Sequence, residues 1–463
     1  MSDPASTETY DPKTVTLLSF SDAVPSFADG SDTPRAYLER CIETVEAREP
    51  AVKAFVTLNL DGARKAADAS TERYRAGRPL SELDGMPVGI KDVHETEDMP
   101  MQVGSPVFEG WSSGWDGACV YALRKAGAAI VGKTVTTEFA FATPGPTRNP
   151  WDETRTPGGS SSGSGAAVGA RMIPAATGSQ VRGSILRPAA YCGAYTLKAS
   201  YGAINSLGGF PSAPSLIHVG FIAGTLADMW IASHCVSRIA GGDPGHPSLA
   251  GPPTLPRPEK PRRLIRLDTA GWAATTEETK AAFDEYLGTL AEAGIEIACR
   301  GDDPEIEAYE RDLVTLRDVI ALMLTYEGRW PLAMYADRDW ELLSPRVQER
   351  VVAGRELTPE DYAQALEWCV AFRARHEAFA DRADGLITLN QVDPAPAGMP
   401  VGDMVYGEPS SVAGCPALNL PLISVGGMPL GIQLMGYFRE DRRIVANAHW
   451  LVHAARGIDT PAG

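Results

Sequence analysis

The chain has 463 residues, 44% hydrophobic and 22% charged, the make-up of a large water-soluble globular protein and not of a disordered or fibrous one. Its net charge of −17 comes from 59 acidic against 42 basic residues; such a surface repels phosphate backbones, no basic stripe offsets it, and nucleic acid is not an expected partner. No apolar run approaches the roughly 20 residues that span a bilayer, and the polar, acidic start MSDPASTETYDPKTVT lacks a secretory core, so the expectation is a cytoplasmic protein with no membrane partner.

Residues 1–30 are expected to be loosely ordered. A helix follows over 31–50, capped by Asp32 or Ser31, with Pro34 in its first turn and Leu38, Cys41, Ile42 and Val45 on one apolar stripe. Then short apolar runs alternate with helical patterns. AFVTLN (54–59) reads as strand and GARKAADASTERYRAG (62–77) as helix; MPVGIKD (86–92) reads as strand, DGACVYALRKAG (116–127) as helix, AAIVGKT (128–134) as strand. GSGAAVGARMIP (163–174) is a helix candidate, AYTLK (194–198) a strand, and the stretch 225–241 a helix capped by Thr225. The Pro- and Gly-rich residues 241–262 have the composition of a linker. Beyond them come RLIRLD (strand), a helix over 277–293, IEIACR (strand), two long helices over 304–330 and 358–384, the strands LITLN, PALNLP and GIQLMGY, and a helix from Asp441.

This alternation predicts an α/β fold: a single large domain over 31–463 with a central mixed sheet covered by helices on both faces. Its core lies at about 84–240, a helical excursion at about 304–384, and a return to the sheet at about 385–455. Seven scattered cysteines with no C-x-x-C, and seven dispersed histidines with no H-E-x-x-H, leave no disulfide framework and no metal or other cofactor to expect.

The chemistry concentrates in PGGSSSGSG (157–165), which is open to three readings. As a linker it fails, because small-residue packed structure continues directly after it. As a phosphate cradle it has a rival in GAAIVGKT (127–134), which fits the Walker A pattern letter for letter. There, however, a helix precedes the first glycine and an apolar strand fills the loop, so Gly127 reads as a left-handed helix end. As a nucleophile elbow, G-x-S-x-G with Ser161 at its centre, it lacks the strand that should lead in; a Ser–His–Asp hydrolase stays open as an alternative. What remains is a site where backbone approaches substrate and hydroxyls supply nucleophile and relay. Ser184, in RGS, lies where a loop turns into a short helix.

The segments DGMPVGIKD (84–92), AGAAIVGKTVTTEFA (126–140), TPGGSSSGSGAAVGA (156–170), GSILRPAAYCGAYTLKASYG (183–202) and PALNLPLISVGGMPLGIQLMG (416–436) together resemble the amidase signature family, in matching order across nearly the whole chain. The resemblance implies that family's fold and a Ser–cis-Ser–Lys triad: Ser184 as nucleophile, Ser160 as bridging serine on a cis peptide after Gly159, and Lys91 as base. It implies an oxyanion hole from the backbone amides of Val181, Arg182, Gly183 and Ser184, no cofactor, and a small amide or carbamate (urethane) substrate, with aryl amides and esters in reach. A transamidating component of a multi-subunit complex and a catalytically silent scaffold are the other readings, and a homodimer is open.

The chain departs from the family's G-T-D-x-G-G-S before the nucleophile: Ser179 stands for Thr, Gln180 for Asp and Arg182 for Gly. The arginine usual two residues past the nucleophile is replaced by Leu186, with Arg187 next. Gly159, Arg182 and Arg187 are candidate substrate contacts; Arg182 alternatively pairs with an acidic neighbour. The stretches 100–116, 141–156, 203–220 and 305–360 are candidate pocket walls.

Overall fold

Among the described residues, seven of the eleven strands are buried along their whole length, as a sheet covered on both faces requires. The computed structural model describes residues 9–458. The strands are β1 (Phe55–Leu58), β2 (Pro87–Lys91), β3 (Ala129–Thr134), β4 (Ala175–Gln180), β5 (Tyr195–Lys198), β6 (His218–Ala223), β7 (Arg263–Arg266), β8 (Glu296–Ala298), β9 (Gly385–Leu389), β10 (Ala417–Val425) and β11 (Met428–Met435). They form one mixed sheet in the order β1-β3-β2-β4-β6-β5-β10-β11-β9-β7-β8. β3, β2 and β4 run parallel, the middle from β4 to β9 is antiparallel, and β9, β7 and β8 are parallel again. The chain leaves the sheet after β8 and re-enters it at β9, within a single large α/β domain.

Local differences from expectation have physical causes. The first long helix, Pro34–Val52, is capped by Thr33, whose side chain accepts from the Ala36 amide, and not by Asp32 or Ser31. Residues 9–30 are not loosely ordered: the Tyr10 hydroxyl donates to the Pro421 carbonyl at 2.6 Å, and the amides of Phe20 and Ser21 donate to the buried Asp228 carboxylate at 2.7 and 2.8 Å. The rest of that expectation, residues 1–8, lies outside the described residues. The helix expected over 304–330 runs from Pro304 to Asp339 straight through Pro331, because Leu332 and Ala336 pack into an apolar cluster with Phe108 and Phe139 that outweighs the lost hydrogen bond. A further helix, Pro345–Glu356, lacks any strong apolar stripe in sequence and escaped notice. β4 escaped too: AATGSQ has only one β-branched residue, and is a strand because small side chains let the helix Ser162–Gly169 pack onto it.

That helix explains the glycine density of PGGSSSGSG. A Cβ at Gly163 would stand 2.1 Å from the Ala54 carbonyl oxygen and 2.3 Å from the Val135 nitrogen, so backbone abuts backbone there. Gly163→Ala is expected to destabilise the fold by about 1–3 kcal/mol, measured by urea unfolding. Gly127, at φ 92°, ends the helix Ala118–Ala126, and β3 is buried throughout, so the Walker-like letters form no phosphate loop. Among the described residues no helix is long and apolar enough to cross a membrane.

Candidate active site

Parallel strands β2 and β4 deliver their C-terminal residues to the same edge of the sheet, which brings Lys91 and Ser179 together. The Lys91 side chain is fully buried. Its Nζ lies 2.7 Å from Ser160 Oγ, 2.9 Å from Ser179 Oγ and 3.2 Å from the Ser179 carbonyl oxygen, while its backbone amide donates to Thr177 Oγ1 at 2.8 Å. Lys91 has no ion-pair partner among the described residues. The adjacent Asp92 instead binds Lys133, 3.0 Å away and equally buried. Burial holds the Lys91 amine well below its ordinary pKa, and the nearby Arg187 charge pushes it the same way.

The peptide bond between Gly159 and Ser160 is cis. Arg187, buried, anchors this bend: one terminal nitrogen donates to the Gly159 carbonyl and the other to the Asp403 carbonyl at 2.9 Å. Ser161 donates its amide to the Ser184 carbonyl at 3.2 Å, which ties the two serine loops together. Its own hydroxyl is enclosed without a hydrogen-bond partner among the described residues, histidines included, and loop instead of strand precedes it. The elbow arrangement around Ser161 is therefore not built.

Ser184 lines a narrow cleft with Val181, Arg182, Arg187, Phe141 and Arg350. The loop before it is held by Gln180, whose side-chain oxygen accepts from the amides of Ile185 (2.9 Å) and Leu186 (3.1 Å). The four amides from Val181 to Ser184 find no acceptor among the described residues. Gly183 sits at φ 89°, a left-handed conformation open to glycine; Arg182 is in ordinary backbone and carries no strain of the kind its position invites. Its guanidinium pairs with Glu408, Nε to Oε1 at 2.7 Å.

Of the sequence candidates, Val181, Arg182, Ser184 and Arg187 line the cleft. Gly159 does not; its carbonyl accepts from Arg187. The wall segments contribute Phe141, Ser212, Leu324 and Arg350, and nothing from 100–116. Arg350 was missed. It stacks on Phe141 at 3.8 Å, one of its terminal nitrogens is buried without a partner among the described residues, and burial together with the Arg182 charge pushes it down to about 9, which leaves it charged at neutral pH. No sequence signal marks it, since it lies among other basic residues of an exposed-looking helix. Ser179 and Glu408 were also missed as partners; both reach the site only through the fold. Among the described residues no group of three or more His, Cys, Asp or Glu is placed to hold a metal ion.

The family profile described as Amidase matches residues 36–445. The A-type chain of the glutamyl-tRNA(Gln) amidotransferase from Chloroflexus aggregans is 31% identical, over 90% of this chain and 92% of its own. A crystal structure of an amidase superposes with a TM-score of 0.81 at 27% identity, covering 94% of this chain and 99% of that one. A protein from a vestigial complex linked to the origins of an s-triazine catabolic enzyme superposes with a TM-score of 0.82 at 25% identity, over 96% and 100%.

Proposed function

The chain belongs to the amidase family, as an enzyme acting on carbon–nitrogen bonds, and from that premise we propose that it hydrolyses a small amide or carbamate through an acyl-enzyme on Ser184. Lys91 is the base and Ser160 the relay. The observation that carries this is the buried, ion-pair-free Lys91 amine 2.7 Å from Ser160 Oγ. A neutral amine has two hydrogens and one lone pair. Two hydrogens serve the two oxygens of Ser179, and the lone pair is left for the Ser160 hydroxyl proton.

Ser184 Oγ attacks the carbonyl carbon, giving its proton to Ser160 Oγ as Ser160 passes its own to Lys91 Nζ. The oxyanion is received by the unclaimed amides of residues 181–184, donors already fixed in place before charge develops. Collapse breaks the C–N bond, and the proton held on Lys91 returns through Ser160 to the leaving amine. Water then releases the acid by the same relay in reverse.

Arg350 supplies the reading of the substrate's far end: its terminal nitrogen without a partner among the described residues favours a substrate that offers a strong acceptor or a carboxylate there. Arg350→Met is expected to raise KM at least tenfold for such substrates while leaving kcat for a neutral amide within threefold; steady-state kinetics on a matched pair of amides checks this.

The amidotransferase relative favours a second reading, in which the chain works as one component of a transamidating complex. The two separate on purified chain alone. The hydrolase reading expects turnover of p-nitroanilide, carbamate or primary-amide substrates without partners, and a fluorophosphonate adduct that maps to Ser184. An adduct on Ser161, or turnover only on addition of partner chains, overturns it.

A further inference from the structure

The two marked departures from the family before the nucleophile, Gln180 and Arg182, both find partners in one distant segment, residues 403–411. An acid at 180 would only accept hydrogen bonds. The amide accepts from Ile185 and Leu186 and has a donor to spare, and that donor reaches Ser411 Oγ at 3.1 Å. Arg182 places a cation where glycine is usual, and Glu408, 1% exposed in its side chain, meets it. Between these two contacts the backbones touch: a Cβ on Gly407 would lie 2.4 Å from Gly183 Cα. Arg187 adds a third tie, to the Asp403 carbonyl.

We infer that Arg182 and Glu408 are positioning residues, a clamp that presses segment 403–411 against the loop 181–184 and sets its four amides for the oxyanion. The inference rests on the reading of Ser184 as nucleophile. A family-like glycine at 182 leaves the loop to hold itself; with arginine, the loop's conformation depends on the carboxylate across from it. The Glu408 carboxyl is buried, and its second oxygen has no partner among the described residues, so losing Arg182 leaves that charge unpaired.

The test is a double-mutant cycle of Arg182→Gly, Glu408→Gln and both together, followed by kcat, KM, Tm and hydrogen exchange of residues 181–186. The clamp predicts that Arg182→Gly lowers kcat 10- to 100-fold with KM within threefold. It predicts that the double variant is no worse than Arg182→Gly, because the orphaned charge is gone. Glu408→Gln should speed exchange at 181–186 at least tenfold, faster than its change in Tm accounts for. Wild-type kcat in Arg182→Gly, a loss confined to KM, or independent multiplying losses overturns the clamp. Full activity in Ser184→Ala overturns the underlying reading of the site instead; exchange, which needs no turnover, still decides whether the clamp exists.

Discussion

Ser184→Ala is expected to abolish turnover, with kcat down about 10⁴-fold or more and the fluorophosphonate adduct lost, while Tm stays within a few degrees of wild type. The size of the effect follows from the site. Without that hydroxyl no acyl-enzyme forms, and neither neighbouring serine substitutes for it: Ser160 is buried against Lys91 and Ser161 is enclosed. The amides of residues 181–184 and the cleft survive, so substrate still binds, and KM is expected to change less than fivefold. Kinetics beside a labelling assay check both halves. Turnover within tenfold of wild type is the result that defeats the proposal.

Lys91→Met is the second large effect, a fall of about 10²–10⁴ in kcat, the usual share of a positioned base. The pH dependence follows from the direction of its shift. As the proposed base, Lys91 must be neutral to take a proton, so activity is expected to be lost as pH falls through its folded pKa, which lies well below the ordinary 10.5, and to be full above it. Lys91→Arg does not rescue, since a guanidinium stays protonated. Stability falls with falling pH in the same direction as activity, but over a window that opens higher, at the unfolded pKa. Between the folded and unfolded pKa the unfolded chain binds a proton that the folded chain refuses, so this group costs stability that grows as pH falls from 10.5 toward the folded value. Lys91→Met removes that cost and is expected to raise Tm at pH 7 more than at pH 10, read by thermal melts at the two pH values.

Much of this was legible in the sequence. Strands that are continuous apolar runs, such as β2 and β3, and helices with a capping threonine, such as the one opening at Thr225, carry their own local signal. β4 does not, because Ala, Gly and Ser in a row describe a close-packing surface and say nothing about which element provides it. Within the site, Lys91, Ser160 and Ser184 are named by motif, and the structure brings Lys91 to Ser160 at the cis bend. The departures were readable as letters only. That Arg182 answers Glu408, or that Arg350 lines the same cleft as Ser184, depends on which distant segments the sheet order sets side by side, and a single sequence carries no mark of that.

The bond between Arg182 and Glu408 joins residues 226 positions apart. During synthesis at about 5–20 residues per second, the second partner leaves the ribosome roughly 10–45 s after the first. Strands β10 and β11, which complete the sheet beside β5, emerge later still. A fragment cut short of residue 435 lacks part of the strand that pairs with both β10 and β9, so under the proposed reading it carries Ser184 on an incomplete sheet. On the proposed reading, folding of the site waits for chain made well after Ser184 itself.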